Sequence, residues 1–263
     1  MEIPIYQVDA FTAAPFMGNP AAVCILNSFT DENWMQLVAR EMNLSETAFL
    51  IPKGDGYRLR WFTPATEVSL CGHATLASAH VLFEKGHVSS DTVAKFYTSN
   101  GLLTAKKRGS WIWMDFPRFE VADIKPPLGL TDALGVTPTN VVKSGENILV
   151  EVASEDQIRE CTPDFRQLVK LPIQGVAITA RSTKPGIDFV SRYFAPWVGI
   201  DEDPVTGSAH CCLGPYWGAR LKKEEMTAYQ ASARGGIVKM IIGKDRVKLG
   251  GQAVMILEGR VLT

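Results

Sequence analysis

An excess of either charge, paired cysteines and long apolar runs are all missing from this chain. Its 27 Lys and Arg meet 28 Asp and Glu, a formal charge of −1 over 263 residues. That balance removes the electrostatic reason to expect nucleic acid or an anionic membrane as the main partner. The five cysteines (Cys24, Cys71, Cys161, Cys211 and Cys212) are odd in number and none stands in a C-x-x-C pair. This pattern fits free thiols in a reducing compartment. The first residues lack a basic segment followed by an apolar one, and nowhere do about 18 apolar residues run together. A cytoplasmic protein with a small-molecule partner is the expectation. His80 and His87 have no ligand companions at useful spacing, and adjacent Cys211 and Cys212 lack two further donors, so no metal is expected. Neither Gly-x-Gly-x-x-Gly nor Gly-x-x-x-x-Gly-Lys-Ser/Thr occurs, so a nucleotide cofactor is not expected either.

What is present is a β-rich chain with few helices. Length over about 150 residues per domain leaves either two small domains or one large one. In Tyr57–Phe62 apolar residues alternate with Arg58 and Arg60, the mark of a strand with one wetter face. Strand pairs at 102–116 and 237–262 are separated by turn residues and read as antiparallel hairpins. Thr30 is expected to cap a helix over 31–42 with Trp34, Leu37, Val38 and Met42 on one face. Further helices are expected after Gly72 and after Gly207. Pro215 should kink or end the latter, because it has no N–H and its ring crowds the preceding turn. Ser154 and Thr162-Pro163 signal two short helices, and residues 173–180 form a buried strand.

Prolines and glycines between Arg118 and Leu130 mark the likeliest boundary. The domains are therefore placed at 1–117 and 118–252, with the strand at about 253–263 expected to pack back onto the first. The halves repeat one another. Arg60-Trp-Phe-Thr-Pro64 precedes a glycine-opened helix at Gly72, and Arg192-Tyr-Phe-Ala-Pro196 precedes another at Gly207. A helix start presents unpaired N–H groups, and two related starts, with His73 and Ser208 just inside them, suit one small carboxylate. Glu46, at a helix-to-strand junction, reads either as a partly desolvated acid/base or as an ordinary solvated glutamate. Glu67 has an equal claim by composition, and Asp203 before Pro204 could be a turn former. His210 points to another side of its helix and reads as packing or a surface bond. Arg234, in Gln230-Ala-Ser-Ala-Arg-Gly-Gly236, reads equally as solvated or as substrate-contacting.

Several spaced motifs carry a resemblance. Asp9-Ala-Phe-Thr12, Pro15-Phe-Met-Gly-Asn-Pro-Ala-Ala-Val23, Leu44-Ser-Glu-Thr-Ala-Phe49, Phe62-Thr-Pro64, Cys71-Gly-His-Ala-Thr75 and Glu202-Asp-Pro-Val-Thr-Gly-Ser-Ala209 together resemble the PhzF family, isomerase-like proteins akin to diaminopimelate epimerase. The resemblance runs from residue 8 to beyond Gly236. It implies an α+β fold of two similar domains, each a mainly antiparallel sheet or barrel around a central helix, with the site in the cleft between them. It further implies a homodimer and cofactor-free proton transfer on a small carboxylic acid. On that basis Glu46, His73 and Asp203 are the catalytic candidates, and Asn19, Ser45, Gly72, Gly207 and Ser208 the substrate contacts. Two rivals stay open. One is an amino-acid epimerase or racemase using Cys71, although Val205 stands at the approximate counterpart in the second half, so a symmetrical pair of thiols lacks a partner. The other is a non-catalytic interaction protein on the same fold.

Overall fold

A computed structural model describes residues 2–28 and 31–262. The chain divides into two units, residues 1–116 with 248–263, and residues 117–247. The fold is α+β. Among the described residues, no helix is long and apolar enough to cross a membrane.

The first unit begins with β1 (Glu2–Ala10), β2 (Asn19–Ile25), α1 (Glu32–Met42), β3 (Glu46–Lys53) and β4 (Gly56–Phe62). It continues through β5 (Glu67–Val68), α2 (Gly72–Glu84), β6 (Val93–Thr98), β7 (Gly101–Arg108) and β8 (Trp111–Pro117). The second unit holds β9 (Ala122–Asp123), α3 (Leu130–Leu134), β10 (Pro138–Ser144), β11 (Asn147–Val152), α4 (Glu155–Glu160) and α5 (Phe165–Leu168). After these come β12 (Gly175–Arg181), β13 (Phe189–Ala195), β14 (Ile200–Asp203), α6 (Gly207–Leu221), β15 (Glu225–Gln230) and β16 (Gly236–Ile242). The chain then passes through β17 (Arg246–Gly251) to β18 (Ala253–Leu262), which pairs antiparallel with β1.

The pairing scheme repeats. In the first unit β1–β2 and β3–β4 are antiparallel and β2–β3 parallel, β4 pairs antiparallel with β5 and parallel with β6, and β6–β7 is antiparallel. In the second unit β10–β11 and β12–β13 are antiparallel and β11–β12 parallel. There β13 pairs antiparallel with β14 and parallel with β15, and β15–β16 is antiparallel. Each parallel step needs a crossover, and α1, α2, α4, α5 and α6 lie in those crossovers, while α3 lies between the antiparallel β9 and β10. The register maps Phe62 onto Phe194, Thr47 onto Val176 and Glu46 onto Gly175.

The repeat extends to side chains. Arg60 donates through Nε and Nη2 to the two carboxylate oxygens of Glu67, at 2.7 Å each, and lies over the Phe62 ring. Arg192 does the same to Glu202, at 2.7 and 2.9 Å, and lies over Phe194. Each arginine also reaches the first crossover of its unit. Arg60 meets Glu32 of α1 at 2.8 Å, and Arg192 donates to the carbonyls of Ile158 and Cys161. Arg60 is buried rather than on a wetter face, because its charge is matched beneath the strand.

Both helices of the parallel β4–β6 and β13–β15 crossovers are almost wholly buried. On α2 the hydroxyls of Thr75 and Ser78 donate back to the Cys71 and Ala74 carbonyls, which lets polar residues sit there without loss. Of the expected kink or stop at Pro215 the stop does not occur, and α6 continues through it. The Cys211 carbonyl, which a residue without an N–H leaves unbonded, accepts from the Phe119 N–H at 3.1 Å. In α1, Leu37 is exposed, and the buried face is made by Met35, Val38 and Ala39. Trp34 and Met42 pack at its margin. Asp31 caps α1, and Thr30 lies outside the described residues. The cap of α5 is Asp164, one residue past Thr162-Pro163.

His210, on α6, is fully buried; its Nδ1–H donates to the Thr206 carbonyl at 2.8 Å and its ring stacks on Phe189. Its Nε2 is buried without a hydrogen-bond partner, so protonation there would strand an N–H among apolar groups. Burial pushes its pKa down to about 4, the Thr206 bond opposing only in part.

Two stability measurements follow from this architecture. Arg192→Met should cost about 3 kcal/mol in urea unfolding, since it strands a mostly buried Glu202 and two carbonyls. Arg60→Met should cost about 1 kcal/mol, because Glu67 and Glu32 reach water; equal losses would contradict this account. For His210, the unfolded chain binds the proton below about pH 6.5 and the folded chain only below about 4, so stability is present above 6.5 and is lost as the pH falls. The advantage of wild type over His210→Phe should shrink by about 3 kcal/mol between about pH 7.5 and 4. A gap independent of pH would show that His210 does not titrate in this way.

Candidate active site

In the first unit the chain places one acid, one histidine, one amide and one thiol together. Glu46 is the first residue of β3, and Ser45 precedes it in the turn that ends α1. That turn is made by Asn43, whose left-handed backbone (φ 49°) closes the helix with its N–H on the Ala39 carbonyl. His73 is the second residue of α2. Asn19 opens β2, after a loop in which the buried Asp9 carboxylate accepts from the Phe16 N–H at 2.7 Å. Gly18 has φ +66°, and a Cβ there would lie 2.2 Å from the Ala10 carbonyl oxygen. Only glycine fits that bend, and the bend delivers Asn19.

His73 Nε2 lies 2.9 Å from Glu46 Oε2, with both side chains largely buried. The contact is short but not aligned as a hydrogen bond, so the buried Oε2 accepts none. On the other side of the ring, the Asn19 amide nitrogen is 3.1 Å from Nδ1. The neutral ring therefore accepts from Asn19 at Nδ1 and carries its proton on Nε2, towards Glu46. An imidazolium is accommodated once the amide turns its oxygen to Nδ1. Cys71 Sγ lies 3.6 Å from Nδ1 and 4.0 Å from Nε2.

Burial alone would lower the His73 pKa. Its neighbours Cys71 and Glu46 outweigh that and raise it well above the ordinary value. Burial, reinforced by Glu46, pushes the Cys71 thiol up to about 11, so near neutrality it is uncharged. The charge that acts on His73 is therefore the Glu46 carboxylate.

The Cys71 side chain does not cap α2, so the first N–H groups of the helix, at Gly72 and His73, keep their anion-binding character. Trp61 stands opposite Ala48 in the β3–β4 register, on the same sheet face as Glu46, and its indole N–H is buried without a partner. Sequence reasoning did not single it out, because an aromatic in a buried strand gives no polar signal. Both oxygens of Glu67 are held by Arg60, which makes it a structural partner rather than an acid/base.

The second unit is described separately. Asp203 ends β14 and its carboxylate accepts from the Thr206 hydroxyl, so Thr206 does not cap α6. Gly207 and Ser208 are the first two residues of that helix. Thr206, rather than Val205, is the counterpart of Cys71, since each is the N-cap residue directly before the glycine. Gln230, at the end of β15, is fully buried. Its Oε1 accepts from the Thr206 N–H and its Nε2 donates to the Asp203 carbonyl. Gln230 thus fixes this helix start. Its signal was the Gln230–Gly236 motif, where the charge of Arg234 drew attention away from the amide.

Comparison with known proteins gives a consistent result. The profile of the phenazine biosynthesis-like protein family, PhzC-PhzF, matches residues 8–259. A relative named as an uncharacterized isomerase from Halalkalibacterium halodurans is 54% identical over 263 residues, covering 100% of this chain and 99% of the other. The crystal structure of a PhzF-family phenazine biosynthesis protein from Enterococcus faecalis superposes with a TM-score of 0.95 at 41% identity, covering 100% of both chains. A predicted epimerase from Pseudomonas aeruginosa, 22% identical and covering 99% of each chain, shares the fold with a TM-score of 0.77. The chain belongs to the PhzC-PhzF family of phenazine biosynthesis-like proteins and is an enzyme of the isomerase class.

Proposed function

We propose that the protein is a cofactor-independent isomerase that moves a proton on a small carboxylic acid, with Glu46 as the acid/base. The observation that carries this reading is the Glu46 carboxylate oxygen, buried, without a hydrogen bond, and 2.9 Å from the buried His73. A buried carboxylate oxygen that accepts no hydrogen bond is poised to take a proton from carbon. In the proposed reaction the C–H bond breaks, the proton passes to Glu46, and the electron pair delocalises towards the substrate carboxylate. N–H groups at Gly72 and His73 offset that charge. Glu46 then returns the proton at another carbon or on another face, so no oxidant or reductant is consumed.

His73 is proposed to position the Glu46 carboxylate and Asn19 to orient the His73 ring. The roles of Ser45, Asp203, Gly207 and Ser208 as positioning and substrate-contacting groups rest on the family resemblance, as does a homodimer; a cytoplasmic setting rests on the cysteine pattern. The reading with Cys71 as the acid/base is disfavoured by the high thiol pKa and by Thr206 standing where a second thiol would be needed.

The test is exchange of carbon-bound hydrogen with deuterated solvent, followed by NMR over a panel of cyclic and amino carboxylates. Glu46→Gln should lower the rate about 100-fold or more while ligand-induced thermal stabilisation persists. Exchange at the wild-type rate in that variant would remove Glu46 from the mechanism.

A further inference from the structure

The same corner of the first unit holds a constellation that proton transfer does not use in full. Glu46, Cys71 and His73 each present one donor atom, an oxygen, a sulfur and a nitrogen, all within 4.8 Å of one another. Nε2 stands 2.9 Å from Oε2 and 4.0 Å from Sγ. With bonds of about 2.0 Å to nitrogen and oxygen and about 2.3 Å to sulfur, two ligands of one zinc ion stand roughly 3–4 Å apart. Small side-chain rotations therefore suffice to close the trio on an ion. The Glu46 oxygen is buried and accepts no hydrogen bond, so it has a lone pair to give.

We propose that Glu46, Cys71 and His73 form a binding site for a thiophilic divalent cation such as Zn2+, and that the bound ion inhibits the enzyme. A set of one thiolate, one imidazole and one carboxylate suits zinc and cobalt and suits magnesium or calcium poorly. Binding forms a metal–sulfur bond as the thiol proton leaves to solvent, and a metal–nitrogen bond as the imidazolium loses its Nε2 proton to solvent and keeps the one on Nδ1. Neither step changes an oxidation state. The Asn19 amide, whose nitrogen stands 3.1 Å from Nδ1, becomes the outer partner of a metal-bound imidazole once it turns its oxygen to the Nδ1–H. Three protein ligands leave a fourth position open to water or to a substrate carboxylate. Glu46 is the most exposed of the three side chains.

The inhibition rests on the proposed role of Glu46, since coordination occupies the lone pair that would take the proton; the binding does not depend on that role. Cys71 and His73 are too close together in the chain to suggest a ligand set, and the fold brings Glu46 to them as the third donor.

The experiment is a titration of the intact wild-type protein with Co2+, then competition with Zn2+. One equivalent of Co2+ should produce a near-ultraviolet sulfur-to-cobalt charge-transfer band, displaced by Zn2+. Cys71→Ala should abolish the band and weaken Zn2+ binding about 100-fold or more, since loss of even an outer partner costs about 10–100-fold. Cys71→Ser and His73→Gln, checked for an unchanged metal-free melting curve, should likewise lose the zinc-induced rise in melting temperature. Zn2+ should stop wild-type solvent exchange and leave that of Cys71→Ala unaffected. Absence of a one-to-one cobalt complex in the wild type, or a band that survives Cys71→Ala, would overturn the site. Tight zinc binding at the trio without inhibition would overturn its effect on the enzyme. Loss of exchange in Cys71→Ala would instead count against the Glu46 mechanism, with the cobalt spectrum still deciding whether the ion binds.

Discussion

A charge removed from water must meet its opposite, and that requirement organises this chain at three places. Arg60 with Glu67, Arg192 with Glu202, and His73 with Glu46 each put a cation and a carboxylate into contact at buried or part-buried positions. The first two pairs use ideal forked geometry, with both carboxylate oxygens satisfied. Such pairs tie a strand to the next one, while the same arginines reach the crossover before it, and they leave nothing over for chemistry. The third is different in kind. Its geometry pairs the charge and leaves an oxygen without a hydrogen bond, and the proposed function makes use of that incompleteness.

Much of the architecture was readable because it rests on local patterns. The repeated Arg-aromatic-Phe-x-Pro segments, the glycine-opened helices and the turn-punctuated hairpins are each set by residues close in sequence, and the motifs carried the family. What local reading missed depended on distant partners. Pro215 is tolerated inside α6 because Phe119 takes up the orphaned carbonyl, and Phe119 is nearly a hundred positions away. Arg60 looked like the wet face of an alternating strand because Glu67 and Glu32 were not visible as its partners. Leu37 fell on the expected helical face, yet the core reached only Met35, Val38 and Ala39.

The candidate site was legible in the same partial way. Glu46, His73 and Asn19 were reached through motif resemblance, and the fold puts them in contact. Trp61 and Gln230 went unnoticed because their significance is an unpaired N–H in one case and a bond to the backbone of Thr206 in the other. Neither property belongs to a residue type or a spacing. Both appear only when every buried polar atom is asked where its hydrogen bond goes.

The duplicated units also show how one copy can specialise. In the second unit the position of Glu46 is taken by Gly175, where a Cβ would lie 2.0 Å from the Tyr193 hydroxyl. That hydroxyl, on the residue matching Trp61, donates to Asn147 and fills the space a carboxylate would need. At the helix start Thr206 replaces Cys71, and its hydroxyl is turned to Asp203 instead of to a histidine. The arginine clamp, the strand order and the uncapped helix survive in both copies, because each is needed to fold the unit. The proposed acid/base and the thiol stand in one copy alone, because folding does not need them. A two-thiol mechanism with an acid and a base on opposite faces would require those chemical groups to be duplicated along with the scaffold. Here only the scaffold is, which is why a single carboxylate that both takes and returns the proton is the mechanism this chain's residues favour.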